Sequence, residues 1–426
     1  MQECIVKRKL VVLFVFAFLA RLVLAFGTYH PDLRNHADWG LRFWDYGPGK
    51  FYSANVWNYT WPNQPPGTIY IFAGTRKLFD FVFGAFWWVN THVPPFPSQI
   101  MFFLESNLYP ASLKLPSILA DLGIALLLYK LVKEHTKKLA PLAAVFFLLN
   151  PAIWYNSAVW GQTDSVISFF TLASFMLLLR RKLAFSVLLF ALSLYIKASL
   201  LIFVPVFALV VWKQRYRLID ISNALTLAIL VILLLTLPFS GNNPHLWLLE
   251  LYKDKVFGQQ LHVITANAFN LWAALTGIHE QPDSLPFGFL SYRAVGYVLF
   301  TLSLVWPLKK VLTRISVNTV FGMLTVVAFS GFILLTNMHE RYLYPMFPVF
   351  TLVAVLDKRL RPTYWLVSLL YLLNMYHFWW YPKIDLLISG FEYGDRLLPR
   401  LLGLTFLVIY IYLGRKLLFG GQKLRQ

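Results

Sequence analysis

The chain has 426 residues, of which 58% are hydrophobic and 13% are charged, whereas a soluble domain has about 45–50% and about 25%. This composition excludes an ordinary soluble domain and predicts an integral membrane protein. The formal net charge of +19 does not imply a nucleic-acid partner, because in a chain this apolar the positive-inside rule alone predicts basic cytoplasmic loops.

Twelve apolar runs follow one another along the chain. The first, residues 10–27, comes after basic residues as in a signal peptide, but it lacks a small-residue cleavage site and contains Arg21, so we expect a retained helix. The others lie at 114–133, 138–156, 165–180, 183–196, 199–212, 219–239, 292–308, 316–336, 342–356, 362–381 and 399–414. With about 20 residues per span, we predict an all-α polytopic membrane protein of about twelve transmembrane helices, forming a single domain over residues 1–426.

The basic residues between these runs predict the topology. With the N-terminus in the cytoplasm, the basic clusters fall on the cytoplasmic side, and so does the C-terminus. Arg21 and Asp121 remain as charges inside predicted helices at similar depth, so we predict that they form an ion pair. The one cysteine, Cys4, allows no intramolecular disulfide bond.

Two outer segments, residues 28–113 and 240–291, are too long to be simple connections between helices. The first is rich in aromatic residues and contains an amphipathic stretch from Ile69 to Asn90, which we expect to lie in the membrane interface. The sequence therefore predicts a large outer cap with interfacial helices on one side of the membrane.

Four polar blocks fall on this outer side. In the first, Asp32 lies seven residues before Trp39, and Asn63-Gln64-Pro65-Pro66 follows. The later blocks are Asn150-Pro151-Ala152-Ile153-Trp154-Tyr155-Asn156-Ser157 running into Trp160-Gly161-Gln162-Thr163-Asp164-Ser165, then Tyr195-Ile196-Lys197-Ala198, and finally His339-Glu340-Arg341-Tyr342.

In their order and membrane side, these blocks resemble those of the GT-C glycosyltransferases, polytopic enzymes that take a sugar from a polyprenyl-phosphate carrier. The chain is most similar to the branch of the dolichyl-phosphate-glucose-dependent glucosyltransferases and the prokaryotic GPI-mannosyltransferase-like proteins. That branch has an acidic residue seven positions before a Trp, which Asp32 and Trp39 match, and a later Asp-Tyr-Pro-Pro. Here Asn63-Gln64 replaces Asp-Tyr.

The resemblance implies a GT-C fold and an inverting transfer of a hexose, with mannose expected, from polyprenyl phosphate to a lipid-linked glycan or cell-envelope acceptor. The reaction is expected on the non-cytoplasmic face, at the plasma membrane of a prokaryote or on the lumenal side of the endoplasmic reticulum. Because the lipid donor is a substrate, no cofactor is expected. The expected partners are the donor, the acceptor and membrane lipid, and not nucleic acid.

Such a transfer needs a carboxylate that receives the proton of the acceptor hydroxyl, and cations that offset the charge of the leaving phosphate. Asp32 is the predicted general base, although an aspartate at this place can also be merely solvated or cap a helix. Asp38 is the rival acid. Six residues further along a helix it would face another direction, and we place it among the sugar or acceptor contacts.

The predicted donor phosphate site combines Lys197, His339 and Arg341. Lys197 interrupts an apolar stretch where the chain is expected to turn, although a lysine there can also snorkel to the surface. His339 and Arg341 are expected to begin a helix, whose N-terminus favours an anion.

Sugar or acceptor contacts are also predicted for Trp160, Gln162, Asp164 and Glu340. Gln162 and Asp164 are expected to end a helix beside Trp160, although Trp is common at membrane interfaces without any ligand. For Glu340 the alternative is a structural ion pair with Arg341.

No catalytic metal is predicted, because the acids and histidines of the first outer segment have no compelling metal-ligand spacing (His30, Asp32, His36 and Asp38). Two other functions stay open. A secondary transporter also fits twelve helices with both termini inside, but it calls for midplane polar residues and two comparable halves. A glycan polymerase or ligase would share the membrane side and use a different donor.

Overall fold

The computed structural model describes residues 2–54, 56–258 and 261–419, while the side chains of residues 2–5, including Cys4, and the C-terminal residues 420–426 lie outside the described part. Most of it is helical. The first helices are α1 (Gln2–Gly27), α2 (Asp32–Tyr46), α3 (Pro48–Phe51), α4 (Pro66–His92), α5 (Gln99–His135), α6 (Ala140–Leu148), α7 (Pro151–Trp154), a π-helical turn (Tyr155–Trp160), α8 (Asp164–Leu179) and α9 (Leu183–Ile196).

The second half continues in the same way, with one hairpin of two short strands. Its elements are a 3₁₀ turn (Ala198–Phe203), α10 (Val204–Lys213), α11 (Leu218–Ser240), α12 (Pro244–Leu251), a second π-helical turn (Tyr252–Phe257), α13 (Leu271–Thr276), strands β1 (Pro286–Phe287) and β2 (Leu290–Ser291), α14 (Tyr292–Thr313), α15 (Val317–Leu334), α16 (Met346–Leu356), a 3₁₀ turn (Lys358–Leu360), α17 (Arg361–Phe378) and α18 (Asp385–Phe419). α18 is broken at Tyr393–Arg396, where the backbone leaves the helical conformation.

Every predicted apolar run overlaps a helix, but several of these helices have only 10–17 residues. By length and composition, six helices among the described residues could cross a membrane: Val6–Gly27, Gln99–His135, Leu218–Ser240, Tyr292–Thr313, Val317–Leu334 and Asp385–Phe419. A seventh span could be the pair Ala140–Leu148 and Pro151–Trp160, which is bent by 51°. The chain is therefore an integral membrane protein by its helices, and the count of twelve spans stays a prediction.

The last part of the first outer segment is helical. We predict that this segment runs from residue 28 to 113, and α5 begins within it at Gln99 and continues through Pro110. A proline inside a helix costs one backbone hydrogen bond, which neighbouring helices can offset, so this proline did not end the helix. The amphipathic stretch from Ile69 to Asn90 lies within α4, and its place in the membrane interface stays a prediction.

The long helix α5 is the centre of the packing, since it contacts α1, α4, α6 and α8. It carries Asp121, which is completely buried. Arg21 Nε donates to Asp121 Oδ2 at 3.2 Å, which confirms the predicted ion pair. The carboxylate also accepts hydrogen bonds from three hydroxyl groups: Ser157 at 2.6 Å, Ser165 at 2.7 Å and Tyr344 at 2.7 Å.

We expect the loss of either charge of this pair to destabilise the protein strongly, because the remaining charge stays buried without its partner. Arg21→Met or Asp121→Asn should lower the free energy of unfolding by about 3–5 kcal/mol, measured by thermal unfolding of the purified protein. Asp220→Asn, which breaks an exposed pair with Arg217, is the control and should unfold like the wild type. Two silent substitutions in the buried pair would contradict its structural role.

Candidate active site

The polar blocks of the sequence meet at one cavity of about 370 Å³. Six of the nine predicted site residues line it: Asp32, Gln162, Asp164, Lys197, His339 and Arg341. The other three, Asp38, Trp160 and Glu340, do not line it. Each of the four blocks therefore contributes to the same cavity.

The lining is of two chemical kinds. The polar side comes from α2, from the loop before α4 and from the turns that hold the predicted residues. The apolar side chains come mainly from other parts of the chain: Ile202, Val256, Phe257, Leu261, Ala328, Phe332, Leu335, Met338 and Pro345. A cavity of this kind fits a ligand with a polar head and an apolar tail.

Asp32 is fixed by one of its two carboxylate oxygens. It is the first residue of α2, where its N–H donates to His30 Nδ1 at 3.0 Å. Its Oδ2 accepts hydrogen bonds from Trp160 Nε1 at 3.1 Å and from Gln162 Nε2 at 2.7 Å. No residue in the described ranges hydrogen-bonds to Oδ1, and 32% of the side chain is exposed. The carboxylate is thus oriented and still open to a ligand.

The surroundings keep Asp32 ionised. Burial alone would raise the pKa of this carboxyl group, but the positive charge of Arg341 and the hydrogen bond from Trp160 outweigh it, and the pKa is lowered to about 2. Burial also lowers the pKa of His30 and of His36 to about 4, so both rings are neutral at pH 7. At neutral pH, Asp32 can therefore accept a proton but has none to donate.

A buried lysine holds the chain just before Asp32. Lys114 of α5 donates to the carbonyl oxygens of Ala25 at 3.1 Å and Thr28 at 2.8 Å, and to the Thr28 hydroxyl at 2.7 Å. Ala25 is in the last turn of α1 and Thr28 directly follows this helix, at the end where the helix dipole favours a cation. The Thr28 hydroxyl donates in turn to the Val159 carbonyl at 3.0 Å. Lys114 therefore joins the end of α1 to the π-helical turn that carries Trp160.

Trp160 positions Asp32 from the end of that turn. Its side chain is completely buried, and its ring stacks with His30 at 4.2 Å and with Phe378 at 5.7 Å between ring centres. A sugar contact for Trp160 stays a prediction. Its burial favours a different role, in which the indole N–H orients the Asp32 carboxylate.

The chain turns after Trp160 at Gly161, whose φ is 89°. A Cβ atom at this position would lie 2.8 Å from Leu33 Cδ2 and 2.9 Å from Lys114 Cγ, so glycine is required both by conformation and by space. The next carbonyl, of Gln162, accepts a hydrogen bond from Ser117 at 2.6 Å. This turn directs the Gln162 side chain to Asp32.

Lys197 lies between α9 and the 3₁₀ turn Ala198–Phe203 in an extended conformation, so the helix is interrupted at this residue. Its Nζ donates to Asp164 Oδ1 at 2.6 Å and lies 5.3 Å from the centre of the Tyr342 ring. Asp164 begins α8; the prediction that it ends a helix was wrong, because Gly161 ends the preceding turn first. Asp164 Oδ2 has no hydrogen-bond partner among the described residues.

We predicted that His339 and Arg341 begin a helix. This was wrong, because α16 starts only at Met346. His339 instead forms a β-bridge with Ala266, and Pro345 disfavours a helical conformation in the residue before it. A helix N-terminus therefore contributes nothing at these two residues. Both side chains nevertheless line the cavity.

Glu340 forms the ion pair that was the alternative to a sugar contact. Arg341 Nη1 donates to Glu340 Oε1 at 2.7 Å, and the Glu340 side chain is completely buried. Burial raises the pKa of Glu340, although Arg341 opposes this. Burial, together with the charge of Arg341, holds the pKa of His339 well below its usual value, so this ring is neutral at pH 7.

Asp38 serves the fold of the first outer segment. Its oxygens accept hydrogen bonds from the Asn58 N–H at 2.9 Å, from Asn58 Nδ2 at 3.0 Å and from Arg42 Nε at 3.3 Å. As expected from its position on the helix, it faces a different way from Asp32. Its role as a sugar or acceptor contact stays a prediction.

Several cavity residues were not predicted from the sequence: Asn35, His36, Asn63, Gln64 and Asn337. Of these, His36 could have been found, because it lies one helical turn after Asp32 and residues four apart share a helix face. Its ring stacks on Phe72 at 4.3 Å. Within the described ranges, no group of three or more His, Cys, Asp or Glu side chains is placed to hold a metal ion.

One protein family matches part of the chain. The family model described as ALG3 protein matches residues 162–267, about a quarter of the sequence, and this range includes Gln162, Asp164 and Lys197. The match supports a GT-C-type glycosyltransferase of mannosyltransferase character, which takes part in glycan biosynthesis and uses a lipid-linked donor. None of the curated proteins matches the chain.

The neutral histidines predict how stability depends on pH. A histidine with a pKa of about 4 in the folded state and about 6.5 when unfolded binds protons more readily in the unfolded state between these values, so stability is lost as the pH falls through this window. We expect His36→Phe, which keeps a ring against Phe72, to reduce the fall in melting temperature between pH 7 and pH 5. His92→Phe, on an exposed helix end, is the control. An equal fall in wild type and His36→Phe would contradict the assignment.

Proposed function

We propose that the protein transfers a hexose, mannose by preference, from a polyprenyl-phosphate carrier to a glycan acceptor on the non-cytoplasmic face of the membrane, with inversion at the anomeric carbon. The observation that carries this proposal is that one partly apolar cavity is lined by an ionised, partly exposed carboxylate, Asp32, and by two cations, Lys197 and Arg341. The match to a family of lipid-dependent glycosyltransferases supports it.

In this proposal Asp32 is the general base. The acceptor hydroxyl approaches Oδ1, attacks the anomeric carbon and passes its proton to the carboxylate, while the bond to the lipid phosphate breaks. Trp160 and Gln162 hold Oδ2 during this step, so the attacking geometry is kept. Inversion follows because the acceptor hydroxyl itself displaces the phosphate and no carboxylate forms a bond to the sugar; Asp164, the other acid that lines the cavity, is paired with Lys197.

The donor phosphate would lie between Arg341 and Lys197, with the lipid chain along the apolar lining. Both cations are paired with acids in the free protein, Arg341 with Glu340 and Lys197 with Asp164. An arriving phosphate shares their charge. Because Arg341 is what most lowers the pKa of Asp32, a phosphate at Arg341 would raise the basicity of Asp32 when the donor is bound.

The departure from the family motif fits a mechanism with one acid. Asn63 and Gln64, which stand where the related branch has Asp-Tyr, both line the cavity. Their amide groups can bind sugar hydroxyls but cannot take up a proton at neutral pH. The proposed base is therefore Asp32 alone.

We expect Asp32→Asn to abolish transfer without loss of donor binding. Asparagine keeps an oxygen for Trp160 and Gln162 but cannot accept the proton, so single-turnover transfer from a labelled polyprenyl-phosphate mannose should fall about a hundredfold or more. Asp38→Asn is the matched control and should fall much less. Unchanged transfer in Asp32→Asn together with a loss in Asp164→Asn would move the base to Asp164.

We further expect the two cations to set donor affinity. Loss of one charge-assisted contact costs about 1.5–3 kcal/mol, so Lys197→Gln or Arg341→Gln should weaken donor binding about tenfold to a hundredfold, measured with labelled donor in lipid nanodiscs. Arg42→Gln breaks a comparable pair with Asp38 away from the cavity and should bind donor normally. Normal binding in both cavity variants would place the phosphate elsewhere.

A further inference from the structure

Four exposed side chains are close in sequence to residues that line the cavity, namely to Asp32, Asn35 and Thr60. They are Tyr29, Arg34, Tyr59 and Trp61, here called the outer rim. Of the three aromatic rings, Tyr59 is 59% exposed, Trp61 is 52% exposed and Tyr29 is 43% exposed. No ring stacking or hydrogen bond of Tyr59 or Trp61 side chains occurs within the described residues. The rim thus presents aromatic surface that the fold itself does not use.

The chain places the outer rim at the candidate active site. Tyr59 and Trp61 stand on either side of Thr60, which lines the cavity. The Thr60 carbonyl accepts a hydrogen bond from the buried Trp39 Nε1 at 2.8 Å, so the backbone between the two exposed rings is anchored to α2. The backbone that carries the two rings is therefore fixed, and both rings are exposed.

The other half of the rim flanks the proposed base. Tyr29 lies three residues before Asp32, and Arg34 lies two residues after it. Burial raises the pKa of the Tyr29 hydroxyl, and the charge of Arg34 opposes this shift. The outer rim therefore comes from two segments of the chain, each of which also carries a residue that lines the cavity.

This surface has the chemistry of a carbohydrate site. Tyrosine and tryptophan offer flat apolar faces with a polar edge, and Arg34 adds hydrogen-bond donors for hydroxyl groups. The adjacent lining residues Asn63 and Gln64 carry amides, whereas the apolar residues that suit a lipid chain come from elsewhere. Residues 56–65 are neither helix nor strand, and irregular backbone is not exposed to the hydrocarbon of a bilayer. The rim therefore faces water or head groups.

We propose that the outer rim binds the saccharide of the acceptor, with a sugar ring packed on Tyr59 or Trp61 so that the reacting hydroxyl reaches Asp32. This inference rests on the proposed function, which is what identifies the bound saccharide as the acceptor. The binding itself needs neither donor nor reaction, and it can be measured separately.

The test is the binding of soluble oligosaccharides to the full-length protein in detergent. The probes are oligomers of two to five mannose, glucose or N-acetylglucosamine units. Their binding is detected by saturation-transfer NMR, and the affinity is measured by titration. We expect the wild type to bind at least one of them, and Tyr59→Ala and Trp61→Ala each to weaken that binding about tenfold. Trp61→Tyr keeps a ring and should retain most of it. Trp88→Ala and Tyr393→Ala remove rings of similar exposure elsewhere and should bind like the wild type.

Two results would overturn the proposal. One is that the wild type binds none of these probes. The other is that the two alanine variants bind saccharides as the wild type does; if they then lose binding to protein-free lipid vesicles, the rim is a membrane contact. The two proposals can fail separately. If saccharide binding depends on Tyr59 and Trp61 but the protein turns over no polyprenyl-phosphate sugar, the outer rim is a saccharide site and the proposed function is wrong.

Discussion

The fold of the site depends on the buried carboxylate of Asp121. It accepts hydrogen bonds from Arg21 of α1, from Ser157 of the π-helical turn, from Ser165 of α8 and from Tyr344. Ser157 and Ser165 bracket the segment that delivers Trp160, Gln162 and Asp164, so one acid fixes both ends of it. A buried charge is costly unless it is fully paired. The protein is therefore stable only when this segment lies where its two serine hydroxyls reach Asp121.

Each charged group in the cavity is held by another polar group before any ligand arrives. Asp32 is held by Trp160 and Gln162, Lys197 by Asp164, and Arg341 by Glu340. Such pairing keeps the side chains in fixed geometry, and it also means that an anionic ligand must compete with two acids for the cations. The site gains orientation and gives up some affinity, which is a common compromise in preorganised sites.

The sequence predicted many of the residues that meet in the cavity, but only part of their pairing. The resemblance of the polar blocks to those of GT-C glycosyltransferases predicted a shared site for Asp32, Gln162, Lys197 and Arg341. The depth of two charges predicted the pair Arg21–Asp121. The pairing of Lys197 with Asp164 could not be predicted, because it depends on how the ends of two helices pack. The start of α16 was placed several residues too early, since hydropathy cannot separate an apolar turn from an apolar helix. The contacts of Lys114 were not predicted either, because in the sequence it is a single charge at the start of an apolar run.

The separation along the chain between α1 and its partners has a consequence for biosynthesis. Arg21 lies 100 residues before Asp121, and Thr28 lies 86 residues before Lys114. Because a chain is made from its N-terminus, the first helix is complete long before the groups that neutralise its arginine and cap its last turn. An arginine inside a membrane without a partner is unfavourable. α1 therefore reaches its final position only after α5 has been synthesised, and the surface from which Asp32 projects is assembled by that late docking.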